Sequence, residues 1–327
     1  MRAAGDSFMS KTLDRLRFVD EHNTNLVSGY RFPEFVGVSE IAPIVPTAQE
    51  AGKFPKFGPE AMMVVPEVRQ PFRSPRVRIN QSMASAGYTT DEVGAEVAIY
   101  DRERRAVPEK ARTRYEENKS KLAAQVIQLW MEYSIASVLQ NASTFAVGNV
   151  ETITGGNQWK DKINSDPWAD MTRWLTILKY KVGKEIRELS LALGPKAWMA
   201  LLAHPKTIER FARGIVPNEE GIANTLGCRS VKMLQGMYVT DMLDPEDPDS
   251  AVITDLWGDV AIAYLKIDDP QIGDPLFAAT PRVEGYPIVT EYRDERHRCD
   301  VKAVDDNFGF VLVSSRRAVL ALTVAGT

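Results

Sequence analysis

Apolar positions set out the chain's elements. Between 109 and 140, Leu122, Val126, Leu129, Trp130, Tyr133 and Leu139 recur at helical spacing, with Lys, Arg and Glu on the other face and Pro108 at a first-turn position. A helix of ~30 residues is ~45 Å long, more than twice the ~20 Å radius of gyration of a compact globule of this size. Ser165 or Asp166 caps a second helix with Pro167 at its first position, and Trp168, Met171, Trp174, Leu175, Leu178 and Val182 form its buried stripe. LSLALG reads as a short buried strand. Pro195 opens a helix with Trp198, Leu201 and Leu202 inward. Pro205 ends it and starts another through Ile208 and Phe211 to Gly214, and Glu219 to Leu226 is a further short helix stopped by Gly227. Strands follow at 230–234 and 238–240. The C-terminal part is β-rich, at 252–266, 283–292, 299–304, 308–313 and 318–324, with Asp305-Asp306-Asn307 as a hairpin turn.

The N-terminal third is patterned differently. Met9, Leu13, Leu16 and Val19 line one face of a short helix. Residues 31–75 hold eight of the nineteen prolines, which excludes a long helix or a central strand and predicts an extended arm. Its apolar residues (Phe32, Phe35, Val36, Ile41, Ile44, Phe54, Phe57) need cover, from the chain's own core or from a neighbouring subunit. Residues 61–90 read as a long hairpin: Arg76 and Arg78 alternate with Val77 and Ile79, and Arg69 and Arg73 add charge against Glu67 alone. Such a hairpin is either a solvated edge guarded by its charges or a loop lying on acidic groups of an adjacent subunit. Residues 142–159 form a Gly-rich connection. A loop holding Asp244, Glu246, Asp247, Asp249 and Asp255 is strongly acidic.

Composition narrows the function. The 327 residues are 44% hydrophobic and 26% charged, ordinary for a globular chain and long enough for two domains. A net charge of −4 argues against a dedicated nucleic-acid binder. The two cysteines are expected to be free thiols. There is no run of 18 apolar residues and no signal-type apolar stretch near Met1.

Catalytic patterns are missing. There is no phosphate loop, dinucleotide fingerprint, nucleophile elbow, HExxH or CxxC. His297 and Cys299 alternate on a strand-like stretch, two ligands without partners; His204 precedes Pro205 at a helix junction; the acidic loop lacks calcium-loop spacing. No catalytic, cofactor or metal residue is assigned, and no enzymatic activity is expected.

The order of motifs carries a resemblance. LGPKAWMALLAHPKTIERFARG at 193–214, WGDVAIAYLK at 257–266 and Gly-Tyr-Pro at 285–287 resemble the central part of the major capsid proteins of tailed double-stranded DNA bacteriophages, with their Hong Kong 97-type fold. The likeness runs from about 166 to the C-terminus. It implies an α+β fold with an N-terminal arm (1–60), an extended β-hairpin loop (61–92), a peripheral domain with a spine helix (93–184, helix 109–140), an axial domain (185–265) and a β-rich return to the peripheral domain (266–327). It implies self-assembly into hexamers and pentamers of an icosahedral head shell around phage DNA, contacted non-specifically. Separate scaffold, portal and cementing or decoration proteins would be partners, with no membrane and no cofactor. The location would be the virion, after assembly in the host bacterial cytoplasm. Expected inter-subunit contacts are Arg69, Arg73, Arg76, Arg78, Phe32, Phe35, Asp247 and Asp249. Some such shells cross-link a hairpin lysine to an asparagine; residues 61–90 hold no lysine, and Lys53 and Lys56 precede them, so covalent chainmail is not expected. The arm begins within about thirty residues of Met1, which implies a separate scaffold or none. The alternatives are an encapsulin-like compartment shell and a soluble α/β enzyme with a dispersed site.

Overall fold

A computed structural model describes residues 18–29, 35–57, 83–211, 217–242 and 250–326. It is built on two sheets and one long helix. The first sheet runs β1 (Phe18–Val19), β13 (Ile288–Asp294), β14 (Cys299–Phe308), β12 (Ala278–Val283), β15 (Val311–Leu312). Within it β5 (Asp91–Tyr100) also pairs with β14, and β2 (Ile44–Thr47) lies parallel to β12. The second runs β6 (Val150–Thr152), β16 (Ala318–Leu322), β11 (Val260–Leu265), β7 (Leu189–Leu193), β8 (Ser230–Met233).

Between the sheets lies α3 (Arg112–Leu139), 28 residues long, where the sequence predicts 109–140. It follows the short α2 (Asp101–Ala106) and packs on β5 and β14. The face it buries is not the expected one. Ala123, Ala124, Ile127, Met131, Ile135, Ala136 and Leu139 point inward, and Leu122, Val126, Trp130 and Tyr133 are 41–53% exposed. The helix has two apolar stripes, and the one rich in alanine allows close approach to the sheet. One 18-residue window of this helix has a mean hydropathy of 1.2, enough by length and composition to cross a bilayer, but 44% of it is buried in the protein.

The second sheet feeds two cores. LSLAL and VAIAYL are buried throughout, as strands covered on both faces must be. Leu189, Leu191, Leu193, Ala261, Ala263 and Val319 meet α4 (Pro167–Val182), α5 (Pro195–Leu202) and α7 (Glu219–Leu226). Their neighbours Ala192, Ile262, Tyr264 and Leu320 face α3 and the first sheet. This layer therefore reaches beyond 185–265, taking in β6 and α4 before it and β16 after it.

Caps follow the sequence closely. Asp166 accepts from the N–H groups of Trp168 and Ala169 ahead of Pro167; Gly183 and Gly227 end α4 and α7 at φ 73° and 68°. Elsewhere the chain departs from expectation. Val19 is in a strand, followed by α1 (Glu21–Gly29), and Met9, Leu13 and Leu16 lie outside the described residues. The strand expected at 252–266 is two, β10 (Ala251–Asp255) and β11, broken at Trp257-Gly258. Asp305, Asp306 and Asn307 form no turn: β14 runs straight through them. The Asp306 carboxylate, 1% exposed, is paired with the Arg282 guanidinium, which lets an acid sit in a buried strand. Ile208 of α6 (Pro205–Arg210) is 61% exposed, not core. His297 lies in the turn before β14 with its ring exposed, while Cys299 is buried, so the two do not share a face.

The parts are joined by Glu132, wholly buried in mid-helix. Its Oε1 accepts from the Gly37 N–H at 2.7 Å and the Trp257 indole N–H at 2.9 Å, and its Oε2 from the Val38 N–H at 2.8 Å. Burial pushes the carboxyl above its ordinary range, against the pull of these three donors. Two turns on, at the helix C-cap, Gln140 accepts from the Gly258 N–H at 2.7 Å and donates to the Leu256 carbonyl at 3.2 Å. A Cβ at Gly37 would lie 2.6 Å from both Glu132 and Trp257, and one at Gly194 2.1 Å from the Gly258 carbonyl oxygen. The Leu-Gly-Pro motif thus needs its glycine because it touches the Trp-Gly motif, whereas a Cβ at Gly258 would meet the Gln140 side chain at 2.9 Å.

Replacing Glu132 by Ala would strand three buried donors at ~1–3 kcal/mol each. Denaturant unfolding should show a loss of about 4 kcal/mol, with Glu132→Gln losing less because its carbonyl still accepts. A loss for Glu132→Ala within about 0.5 kcal/mol, as at an ordinary surface site, would show that this junction does not hold the subunit together.

Candidate assembly surfaces

The Pro-rich arm turns inward. Phe35, Val36, Ile41, Val45 and Phe54 are buried in the chain's own cores, which corrects the expectation that Phe35 is an inter-subunit contact. Phe35 is 7% exposed because the short turn Gly37–Ile41, held by Glu132, draws it under. Pro46 and Pro55 sit in strands, but in strands with a single partner, where a missing N–H costs least.

The extended hairpin starts earlier than the sequence suggests. β3 (Ala51–Phe57) pairs antiparallel with β4 (Met83–Thr89), from Ala51↔Thr89 to Phe57↔Met83. Phe54 and Tyr88 meet edge to face, ring centroids 5.2 Å apart, and root it among Val45, Leu276, Ala279, Val311 and Val313. Lys53 and Lys56 are therefore on the hairpin, not before it, which removes the premise on which cross-linking was set aside. The segment beyond these strands, with Arg69, Arg73, Arg76 and Arg78, lies outside the described residues, as do Phe32, Asp247 and Asp249.

Beside the hairpin root, β5 is an edge strand that among the described residues pairs only with β14. It presents exposed Asp91, Glu92 and Glu96; Tyr292 donates to Glu96 at 2.8 Å. Charge on an edge blocks stray pairing and also offers carboxylates to a basic partner.

The stretch 193–211 is a packing unit. His204, fully buried, caps α6: its Nδ1 accepts from the Lys206 N–H at 3.2 Å, which places the ring proton on Nε2, 3.1 Å from Ser165 Oγ. Ser165 donates in turn to the Asp161 carbonyl at 2.6 Å. Burial lowers the His204 pKa, so the ring stays neutral. Lys206 bonds Asp166, and the Trp168 indole bonds Thr207, closing α4 onto α6. The polar groups of His204, Lys206 and Thr207 are thus engaged in structural hydrogen bonds. No group of three or more metal-ligating side chains occurs among the described residues. Cys228 and Cys299 are buried free thiols, and burial pushes Cys228 up to about 11.

Two exposed apolar surfaces were not foreseen. One is the outer stripe of α3, misread as its core face. The other is a ribbon of β9 (Met237–Met242) and β10 that joins neither sheet; on it Met237, Val239, Val252 and Ile253 are 42–63% exposed. The signal for the ribbon was present in the alternation of Met237, Val239 and Asp241 with Tyr238 and Thr240.

A third element is fixed by charge. Lys302, 4% exposed in β14, bonds Asp20 at 2.8 Å and Glu291 at 2.6 Å, fastening the chain ahead of α1 to the first sheet. Burial raises the Asp20 carboxyl, but hydrogen bonds from Lys302 and Asn23, with the Lys302 charge, outweigh it and hold the pKa at about 2.

No family model matches the chain. It is similar to the major capsid protein of Burkholderia phage BcepMu, 28% identical over 286 residues, covering 85% of this chain and 87% of that one. Among solved structures, it superposes on a phage-related protein from Bordetella bronchiseptica RB50 with a TM-score of 0.76 at 21% identity, over 94% of this chain and 98% of the other. The capsid of cyanophage P-SCSP1u matches with a TM-score of 0.57 at 10% identity, over 87% and 86%. Both structural likenesses are of fold.

A carboxylate with a depressed pKa adds stability above its unfolded value, near 4, and loses it as pH falls through its folded value. Asp20 should therefore contribute about 2 kcal/mol at neutral pH that fades between pH ~4 and ~2. Asp20→Asn should flatten the acid limb of the stability–pH curve; an unchanged limb would show the pair to be idle.

Proposed function

We infer that the chain is a phage major capsid protein: a structural subunit with the Hong Kong 97-type α+β fold that assembles with copies of itself into the icosahedral head shell around double-stranded DNA. The likeness to capsid proteins supports this reading: the relative from Burkholderia phage BcepMu aligns over 85% of the chain, and the cyanophage capsid superposes over 87% of it.

The parts have distinct tasks in such a shell. We assign the second sheet with α4–α7 to the axial region around hexamer and pentamer axes, and the first sheet with α3 to the periphery. Ring-closing contacts of the head-to-tail type build capsomers. Hairpins then tie them: Arg69, Arg73, Arg76 and Arg78 meet carboxylates of a neighbour, for which the Asp91, Glu92 and Glu96 row on β5 and the loop with Asp247 and Asp249 are suited by charge. Each exposed pair contributes only ~0–1 kcal/mol, so strength comes from repetition over many copies. A separate scaffold, a portal and a cementing protein complete the assembly, which takes place in the host cytoplasm; packaged DNA touches the mildly acidic wall without sequence preference.

Expression of the chain should give large closed particles or rings by sedimentation and negative-stain imaging, with nucleic acid rather than a protein cargo in particles filled in the infected host. A monomer or dimer under all conditions would sink the reading. The double variant Arg73→Glu, Arg76→Glu should stay folded, by circular dichroism and melting, yet fail to close shells; normal shells from it would remove the hairpin arginines from assembly.

A further inference from the structure

At one end of the first sheet four arginines have no acid to meet. Residues 295–298 join β13 to β14, and Cys299 pairs with Tyr100 at the end of β5, so this turn lies against the start of α2. The Asp101 N–H donates to the Arg298 carbonyl at 3.1 Å, and the Asp101 carbonyl accepts from Arg105 Nε at 3.2 Å. The turn is fixed internally as well: Asp294 accepts from the N–H groups of Arg296 and His297 at 2.9 and 3.2 Å and holds the His297 ring at 2.6 Å. Arg102, Arg105, Arg296 and Arg298 are exposed on these two elements. Among the described residues, none of the four has a carboxylate within ion-pair distance.

The acids that could have answered them are taken. Beneath the turn, Arg293 holds Asp101 through two bonds of 2.7 Å and Asp300 at 3.1 Å, and Arg104 holds Asp300 and Glu116. Glu103 goes to Tyr115 and Lys119, and Glu295 lies 3.6 Å from Arg293. Farther along, exposed Glu109 and Lys110 cancel. The surface above this network is therefore cationic in a chain whose net charge is −4. Arg298 is strained in addition. Its φ is 52°, in the left-handed region that glycine and asparagine adopt more readily than arginine. An outlier of this kind, on an exposed residue with no acid of its own chain to hold, points to a side chain retained for something outside the chain.

We propose that this tip binds the phosphodiester backbone of duplex DNA through the guanidinium groups of Arg102, Arg105, Arg296 and Arg298. Arginine presents a planar fork that meets phosphate oxygens bidentately. Four of them on two locked elements give a contact to the backbone that is independent of sequence. The tip is poorly made for another protein surface. The buried core of such an interface is apolar and aromatic, and among residues 100–112 and 294–299 Tyr100 alone exposes a large apolar side chain. A second copy of the same tip brings only like charge. The inference rests on the shell reading, which supplies the DNA, and adds to it the place where the wall touches that DNA.

The test measures binding of the chain to a fluorescent duplex of about 30 base pairs, in two unrelated sequences, by anisotropy across a salt series. Four phosphate contacts give a log–log slope of about −3.6 and binding about a hundredfold weaker at ~200 mM salt than at ~50 mM, alike for both sequences. Arg298→Asn, suited to a left-handed turn, should melt no lower than the unmodified chain yet flatten the slope by about 1. Arg102→Gln with Arg105→Gln should flatten it by about 2 and leave particle closure intact. No binding at ~50 mM salt, or slopes unchanged in the variants, overturns the proposal. So does a variant that binds DNA normally but fails to close particles, since its arginines then meet a neighbouring copy. Particles that form from a chain unable to bind the duplex sink the tip alone; if the unmodified chain forms no particle, the shell reading fails and packaged DNA falls with it as the occupant.

Discussion

One buried carboxylate sets the geometry of the subunit. Glu132 cannot be left without donors inside a core, since an unpaired charge there costs several kcal/mol. Its three donors come from the arm and from the turn ahead of β11. The helix, the arm and the second sheet are therefore located by a single group. Gln140 repeats the grip one step along, on the backbone at Leu256 and Gly258. Gly258 in turn abuts Gly194, where α5 begins. From this chain of contacts the orientation of the α5–α6 unit follows.

Around that junction the second sheet acts as a wall shared by two cores. Strict alternation in β7 and β11 sends odd and even residues to opposite layers, so a one-residue slip would exchange both cores at once. The wall is stiff for that reason. What remains free is at the margins: the hairpin, the β5 edge, the ribbon and the outer side of α3. Margins that are apolar or charged suit the contacts between copies that the proposed shell requires.

Legibility in the sequence followed the range of the interactions. Caps and stops are local, so Asp166-Pro167, Pro195 and Gly227 could be read directly. LSLAL could be read as a buried strand because it has no polar face. The α3 faces could not be told apart, because periodicity reports two apolar stripes without saying which meets the sheet; Ala123, Ala124 and Ala136 were the clue, as small residues admit a close strand. Asp306 read as a turn because its partner Arg282 is 24 residues away. Glu132 could not be singled out, since nothing local betrays a carboxylate whose donors are about a hundred residues distant on either side. The assembly residues were named from charge and position alone, and only Phe35 among them falls in the described chain, where it belongs to the interior.

The Glu132 junction also has a consequence in time. Gly37 and Val38 leave the ribosome before the helix, and Trp257 well after it. At ~5–20 residues per second, synthesis of the intervening chain takes on the order of ten seconds. For that interval the helix carries a carboxylate and an apolar stripe with half their partners unmade. Long-range closure of this kind is slow and exposes sticky surface. The nascent subunit is thus most at risk of premature association before residue 258 is in place, so shielding it by a chaperone matters most then, ahead of any encounter between finished copies.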